Sequence, residues 1–293
     1  MNTNGIYLFS GIKLNYLSIT SEDLPFYHSS SKHILVIDYC KSGRIGWKTD
    51  NGNYIYLGRG DFSIHTLDFC LNSKISLPTG IYEGLSIYID LKEFKKNPPE
   101  LLSDTGITSD ALYEKLCNNK AFLPFAGNVQ TDAIFDFFYN QSTATQPAYQ
   151  KLKTLELLLY LYDNKETLPQ QHTTKYHPEQ IETIRQIHEY LLQNLNQRIT
   201  IEELSKQYLM NPTTMKALFK SVYGTSIAAH MKEHRMRKAS ELLLKSEMSI
   251  AEIALTVGYD SQSKFSTAFK DFFHILPKEY RKFYFLHHSD YLS

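Results

Sequence analysis

Two short runs of residues carry the side chains best placed to do chemistry in this sequence. In the first, Thr213, Thr214, Lys216 and Lys220 alternate with the apolar Met215, Leu218 and Phe219. In the second, Gln262, Ser263, Ser266, Thr267 and Lys270 alternate with Phe265, Ala268 and Phe269. The apolar residues recur at three- and four-residue steps, so each run is expected to be a helix with one buried and one polar face. A glutamine pairs bidentately with adenine, a lysine donates to guanine, and threonine methyls meet thymine methyls. Ser263 and Lys270 suit phosphate equally well, which fixes register without reading sequence. Arg281 and Lys282 are further phosphate candidates. The competing reading of each residue is an ordinary solvated helix face.

These runs need elements that present them. Ahead of the second, Ile250, Ile253, Ala254 and Val257 form one apolar helical face, Gly258 breaks it, and Ser261 can cap the helix that follows. This is the pattern of a helix-turn-helix, although a helical hairpin in a larger domain has the same signature. The unit occurs twice. About fifty residues earlier runs TIEELSKQYLMNPTTMKALFKSVYG, with Leu204 matching Ile253, Met215 matching Phe265, Phe219 matching Phe269 and Lys220 matching Lys270. The second turn holds one residue more. Between the units, Ser226 to Lys245 reads as an unbroken helix, with Ile227, Met231, Ala239, Leu242 and Leu243 turned inward. Its length of roughly 30 Å compares with about 34 Å between successive major-groove faces on one side of B-DNA.

Ile199 to Lys282 resembles the DNA-binding domain of the AraC/XylS family of bacterial transcription regulators. The resemblance rests on Gly224-Thr225-Ser226, Arg235-Met236, Ala239, Leu242-Leu243, Ile253-Ala254, Gly258-Tyr259, Ser263, Phe265, Ala268-Phe269-Lys270, Pro277 and Tyr280-Arg281. It implies a one-component regulator that binds double-stranded promoter DNA and contacts RNA polymerase. It further implies a cupin-like front domain that senses a small-molecule effector, and a homodimer in some members. The segments Tyr82 to Ile87 and Met210 to Thr214 are similar to siderophore-receptor regulators of the pyochelin-regulator type. The family often has Arg where Ala217 and Thr267 stand, and Gly where His274 stands; the latter departure implies a different turn before Pro277.

The 293 residues accommodate two domains, and 42% hydrophobic with 21% charged residues suits a soluble globular chain. Basic and acidic residues balance at 31 each, and 176–293 carries 15 against 13, so net charge does not argue for DNA. The expected class is α+β with two domains. Residues 1–168 form a β-rich cupin-like domain with helices, 169–177 a polar linker, 178–284 an all-α domain with two helix-turn-helix units, and 285–293 a tail. Strands are expected at Ile34 to Tyr39, Phe62 to Thr66 and Leu85 to Leu91, with a hairpin from Gly46 to Leu57 about an Asn-Gly turn. After Pro98-Pro99 the pattern turns helical: Ser109 to Cys117, Asp132 to Asn140, and Ala148 to Asp163. The last carries a stripe of Leu152, Leu155, Leu158, Leu159 and Tyr162 that either packs on its own sheet or forms a dimer seam.

Two enzymatic readings are weighed against this one. A metal-dependent cupin needs a His-x-His pair, a carboxylate and a later His; the front domain has only His28, His33 and His65, with no such pair. An alkyl-accepting DNA-repair protein needs an activated cysteine, but Cys40, Cys70 and Cys117 are followed by Lys41, Leu71 and Asn118 rather than His or Arg. No enzyme, cofactor or metal is expected. The start lacks a basic leader with an apolar core, and no 18-residue apolar run occurs, so a cytoplasmic protein without a membrane partner is expected.

Overall fold

One long strand, β3 (Ile34–Lys48), organises the front of the chain. The computed structural model describes residues 5–20, 31–48, 54–68, 74–117, 122–139, 144–168 and 177–288. Around β3 lie β1 (Ile6–Phe9), β2 (Ile12–Ile19), β4 (Tyr54–Gly58), β5 (Phe62–Thr66), β6 (Lys74–Ser76), β7 (Tyr82–Asp90) and β8 (Phe122–Phe125). The order is β1-β2-β7-β3-β5-β8, entirely antiparallel, with β4 and β6 pairing to the far half of β3. The strand expected to stop at Tyr39 continues because a register shift between Cys40 and Ser42, then Gly43 at φ +74°, bends it without ending its pairing. The expected hairpin is present as Lys48 opposite Tyr54 and Gly46 opposite Tyr56; its turn lies outside the described residues.

Two expectations are corrected here. Leu91 does not end a strand: Asp90 accepts from the Lys92 and Glu93 amides and starts the short helix α1 (Leu91–Lys96). The region after Pro98-Pro99 is not purely helical, because β8 pairs with β5, Phe62 opposite Phe125, a partner about sixty residues away. The main core joins Leu35, Ile37, Leu85 and Ile87 of the sheet to α2 (Ser109–Cys117), α3 (Val129–Asp136) and α4 (Gln146–Asn164). On α4, Leu155, Leu158 and Leu161 are buried against this domain, which is where most of the leucine stripe goes. Leu152 stays 55% exposed. Cys40 and Cys117 are buried, and burial pushes their thiols up to about 12 and about 11, so neither is a nucleophile near neutral pH. Cys70 and His28 lie outside the described residues.

The chain divides into two compact units, Met1–Pro178 and Glu179–Ser293. The second is all-helical: α5 (Pro178–Gln193), α6 (Ile201–Gln207), α7 (Pro212–Tyr223), α8 (Ile227–Lys245), α9 (Ile250–Thr256), α10 (Gln262–Phe273) and α11 (Pro277–His288). Most of the expected linker, 169–176, lies outside the described residues. Among the described residues, no helix is long and apolar enough to cross a membrane. An antiparallel β-rich front domain followed by an all-α domain is the α+β class that the sequence implies.

Candidate nucleic-acid interface

Each helix-turn-helix is built from local signals. Thr200 accepts from the Glu203 amide while the Glu203 carboxylate takes the Thr200 amide, closing a capping box at the start of α6. Ser249 and Glu252 repeat it at α9. In each box the backbone hydrogen bond, then the hydroxyl, holds the glutamate carboxyl below its ordinary value. The turns follow at equivalent places in the left-handed region, Leu209 at φ +50° and Gly258 at φ +82°. Four residues then separate α6 from α7 and five separate α9 from α10. Asn211 caps α7 by accepting from Thr213 and Thr214, ahead of Pro212; Ser261 caps α10 by accepting from Lys264.

The reading faces follow from what the cores claim. Met215, Leu218 and Phe219 are fully buried on α7, as are Phe265 and Phe269 on α10. Each such side chain stabilises the fold by about 1.5–3 kcal/mol. That leaves Thr213, Lys216 and Lys220 exposed and Thr214 half-buried on the first helix; Gln262, Ser263, Thr267 and Lys270 are exposed and Ser266 half-buried on the second. The Thr267 hydroxyl donates to the Ser263 carbonyl at 3.1 Å, which leaves its methyl as the outward group. Both helices end in left-handed caps, Gly224 at φ +80° and His274 at φ +61°. The different turn expected before Pro277 is therefore absent: His274 adopts the conformation in which glycine is commoner.

Arg281 is placed differently from its expectation. Its Nε donates to the Leu243 carbonyl at 3.1 Å and an NH₂ group to the Met248 carbonyl at 2.7 Å. A guanidinium engaged with the C-terminal end of α8 ties α11 to the entry of α9 and is not directed at a phosphate. Arg235 does the same ahead of α6, bonding the Leu195 and Gln197 carbonyls at 2.9 and 2.7 Å. One outward residue escaped the sequence reading: Lys264 is exposed on α10, 3.6 Å from Asp260, at the position that the repeat aligns with Thr214. Carrying the Met215–Phe265 match one residue back would have found it.

The spacing of the two units is set by α8, whose 19 residues span roughly 28 Å. Ser226 caps it by accepting from the Ala229 amide. Met236, Ala239 and Leu243 of α8 join Ile253, Ala254, Phe265 and Phe269 in one apolar cluster, which fixes the second unit on the helix. A second connection comes from Gly258, where a Cβ would lie 2.7 Å from the Leu195 carbonyl oxygen and 3.1 Å from that of Asn196. The turn of the second unit thus packs backbone-to-backbone against the segment entering the first. Two polar helix faces are held in one rigid relation.

Comparison with known proteins agrees with this geometry. A helix-turn-helix domain model matches residues 204–282. The thermoregulatory protein LcrF of Yersinia pestis is 27% identical over 251 residues, covering 82% of this chain and 86% of LcrF. These matches identify residues 204–282 as an AraC-type helix-turn-helix domain. The regulator AlkR of Acinetobacter baylyi is 36% identical over 110 residues, 38% of this chain and 35% of AlkR. The regulator ExsA of Pseudomonas aeruginosa is 40% identical over 82 residues, 28% of this chain and 30% of ExsA. The chain thus spans about a third of AlkR and ExsA but most of LcrF. It is a DNA-binding transcription regulator.

Proposed function

We propose that the protein binds two adjacent major-groove segments of a promoter as one molecule, inserting α7 and α10. The observation that carries this is the pair of homologous helices whose polar faces survive core packing, joined by α8 at close to one helical repeat of DNA. In this reading Lys216 and Gln262 contact base edges, with Thr213, Thr214, Ser266 and Thr267 beside them. Ser263, Lys220 and Lys270 hold phosphate, and the helix N-termini add their own amides. The boundaries 1–168 and 178–284 delimit the front and DNA-binding domains. Activation through RNA polymerase, in the cytoplasm and without enzymatic activity, is the accompanying proposal. The virulence regulon activator VirF of Yersinia enterocolitica, 26% identical over 258 residues, supports the sign.

The front domain is proposed to carry the regulatory input. Its interior holds a cavity of about 30 Å³ lined by Leu17, Asp38, Trp47, His65, Tyr82 and Ser86. Ser86 Oγ donates to Asp38, and His65 Nε2 lies 3.7 Å from Asp38 Oδ2, so a buried polar group sits amid apolar walls. That volume is far below the roughly 300–1,000 Å³ of a typical small-molecule pocket. A larger effector would have to open the strands, and its binding energy would supply the coupling. Homodimerisation would use α4, where Tyr149 and Leu152 remain exposed.

The two-segment reading is tested by inserting one residue near Ser240, which rotates the second unit by about 100° relative to the first. Specific operator affinity is expected to collapse while circular dichroism stays near that of the parent. Unchanged operator affinity would show that the units do not bind together.

A further inference from the structure

Three histidines converge behind the first reading helix. His188 comes from α5, and His230 and His234 lie one turn apart on α8. His188 Nε2 is 2.9 Å from His230 Nε2, and His234 Nε2 is 3.1 Å from that same atom. One ring nitrogen from each residue lies within 4.8 Å of the other two. His230 is buried and the other two are half-buried. The His188 ring stacks on Tyr223 at 4.2 Å, and Phe219 packs edge-on to His230. The cluster thus shares its walls with the C-terminal half of α7.

Hydrogen bonding alone leaves this arrangement poorly satisfied. A neutral imidazole nitrogen offers either one N–H or one in-plane lone pair, never both. His230 Nε2 can therefore make one good hydrogen bond, yet two nitrogens approach it within bonding distance. An ion at the centre would turn all three approaches into bonds. Nitrogens 2.0–2.1 Å from a tetrahedral metal lie roughly 3.3 Å apart, near the two close separations seen here, so the widest pair has to close by up to about 1.5 Å.

We propose that His188, His230 and His234 form a binding site for one borderline divalent transition-metal ion, Zn²⁺ in class, with water completing the coordination. Three nitrogen donors without a thiolate or carboxylate suit Zn²⁺ over Mg²⁺ or Ca²⁺. The ion clamps α5 to α8 and braces α7 through the Tyr223 and Phe219 rings.

The test uses the full chain, stripped with chelator and titrated with Zn²⁺ by calorimetry and thermal denaturation. One ion per chain is expected, with the midpoint of the helical transition rising by roughly 10 °C at a hundredfold excess over Kd. Co²⁺ in its place should give the visible bands of a four-coordinate site. His234→Ala and His188→Gln should each lose binding at least tenfold. His33→Ala, in the other unit, should not change it. Circular dichroism of the metal-free variants confirms folding. A folded parent that takes up no Zn²⁺ would overturn the proposal, as would uptake unaltered in both variants.

Discussion

Replacing Gly258 by alanine tests how the two helix-turn-helix units are held together. Three terms compete. Fixing the unfolded chain with a Cβ favours the variant by about 0.4–1 kcal/mol. Holding an L-residue at φ +82° costs about 1–2 kcal/mol. The new Cβ also meets the Leu195 carbonyl oxygen at 2.7 Å and that of Asn196 at 3.1 Å, backbone atoms that cannot rotate away. Forcing such a contact apart costs about 1–3 kcal/mol. The sum is a loss of about 1–5 kcal/mol. Leu209 provides the internal control, since it occupies the matching turn position at φ +50° with its side chain 93% exposed. Strain alone is therefore tolerated in the first unit, and the excess in the second comes from the contact. The assay is urea denaturation of the full chain by two probes. The single tryptophan, Trp47, reports the front unit, while far-ultraviolet circular dichroism is dominated by the helical unit. The helical transition should move and the tryptophan transition should not. A change under about 0.5 kcal/mol, with operator affinity preserved, would refute the keyed contact.

Other expectations follow from the same geometry. His274→Gly should stabilise the helical unit by about 0.5–1 kcal/mol, because it removes left-handed strain at an exposed cap; calorimetric melting checks this, and a lowered midpoint would contradict it. Ser249→Ala should cost about 1 kcal/mol through the lost cap of α9, read from urea midpoints. The capping-box carboxyls have folded values below their ordinary 4.5, so their contribution is complete above that pH and is lost as pH falls through the lowered values. Acid sensitivity below about pH 4.5 should accordingly shrink in the double variant Glu203→Gln with Glu252→Gln, measured by circular dichroism. Lys216→Ala should relax base preference in one half of the operator, whereas Lys270→Ala should weaken all sequences alike and flatten the salt dependence by about one unit of slope. Equal effects of both at every sequence would sink that division of roles.

The sequence by itself determined the all-helical class of the second domain and its two helix-turn-helix units. Helix period and N-caps are set by neighbours within four or five residues, and the duplication states each of them twice. The inward and outward sides of α7 and α10 were legible for the same reason, since burying Met215, Leu218 and Phe219 fixes where Lys216 must point. The Thr200–Glu203 and Ser249–Glu252 boxes were equally available from their spacing. What only the tertiary structure decided is long-range. Arg281 carries the same charge as a phosphate-binding arginine, and only its approach to Leu243 and Met248 shows where that charge is used. The reach of β3 and the presence of β8 depend on partners far along the chain, whose pairing no local propensity encodes. His188 and His230 stand 42 positions apart, and nothing near either announces the other. They meet because α5 and α8 pack side by side, and that proximity is a property of the fold alone.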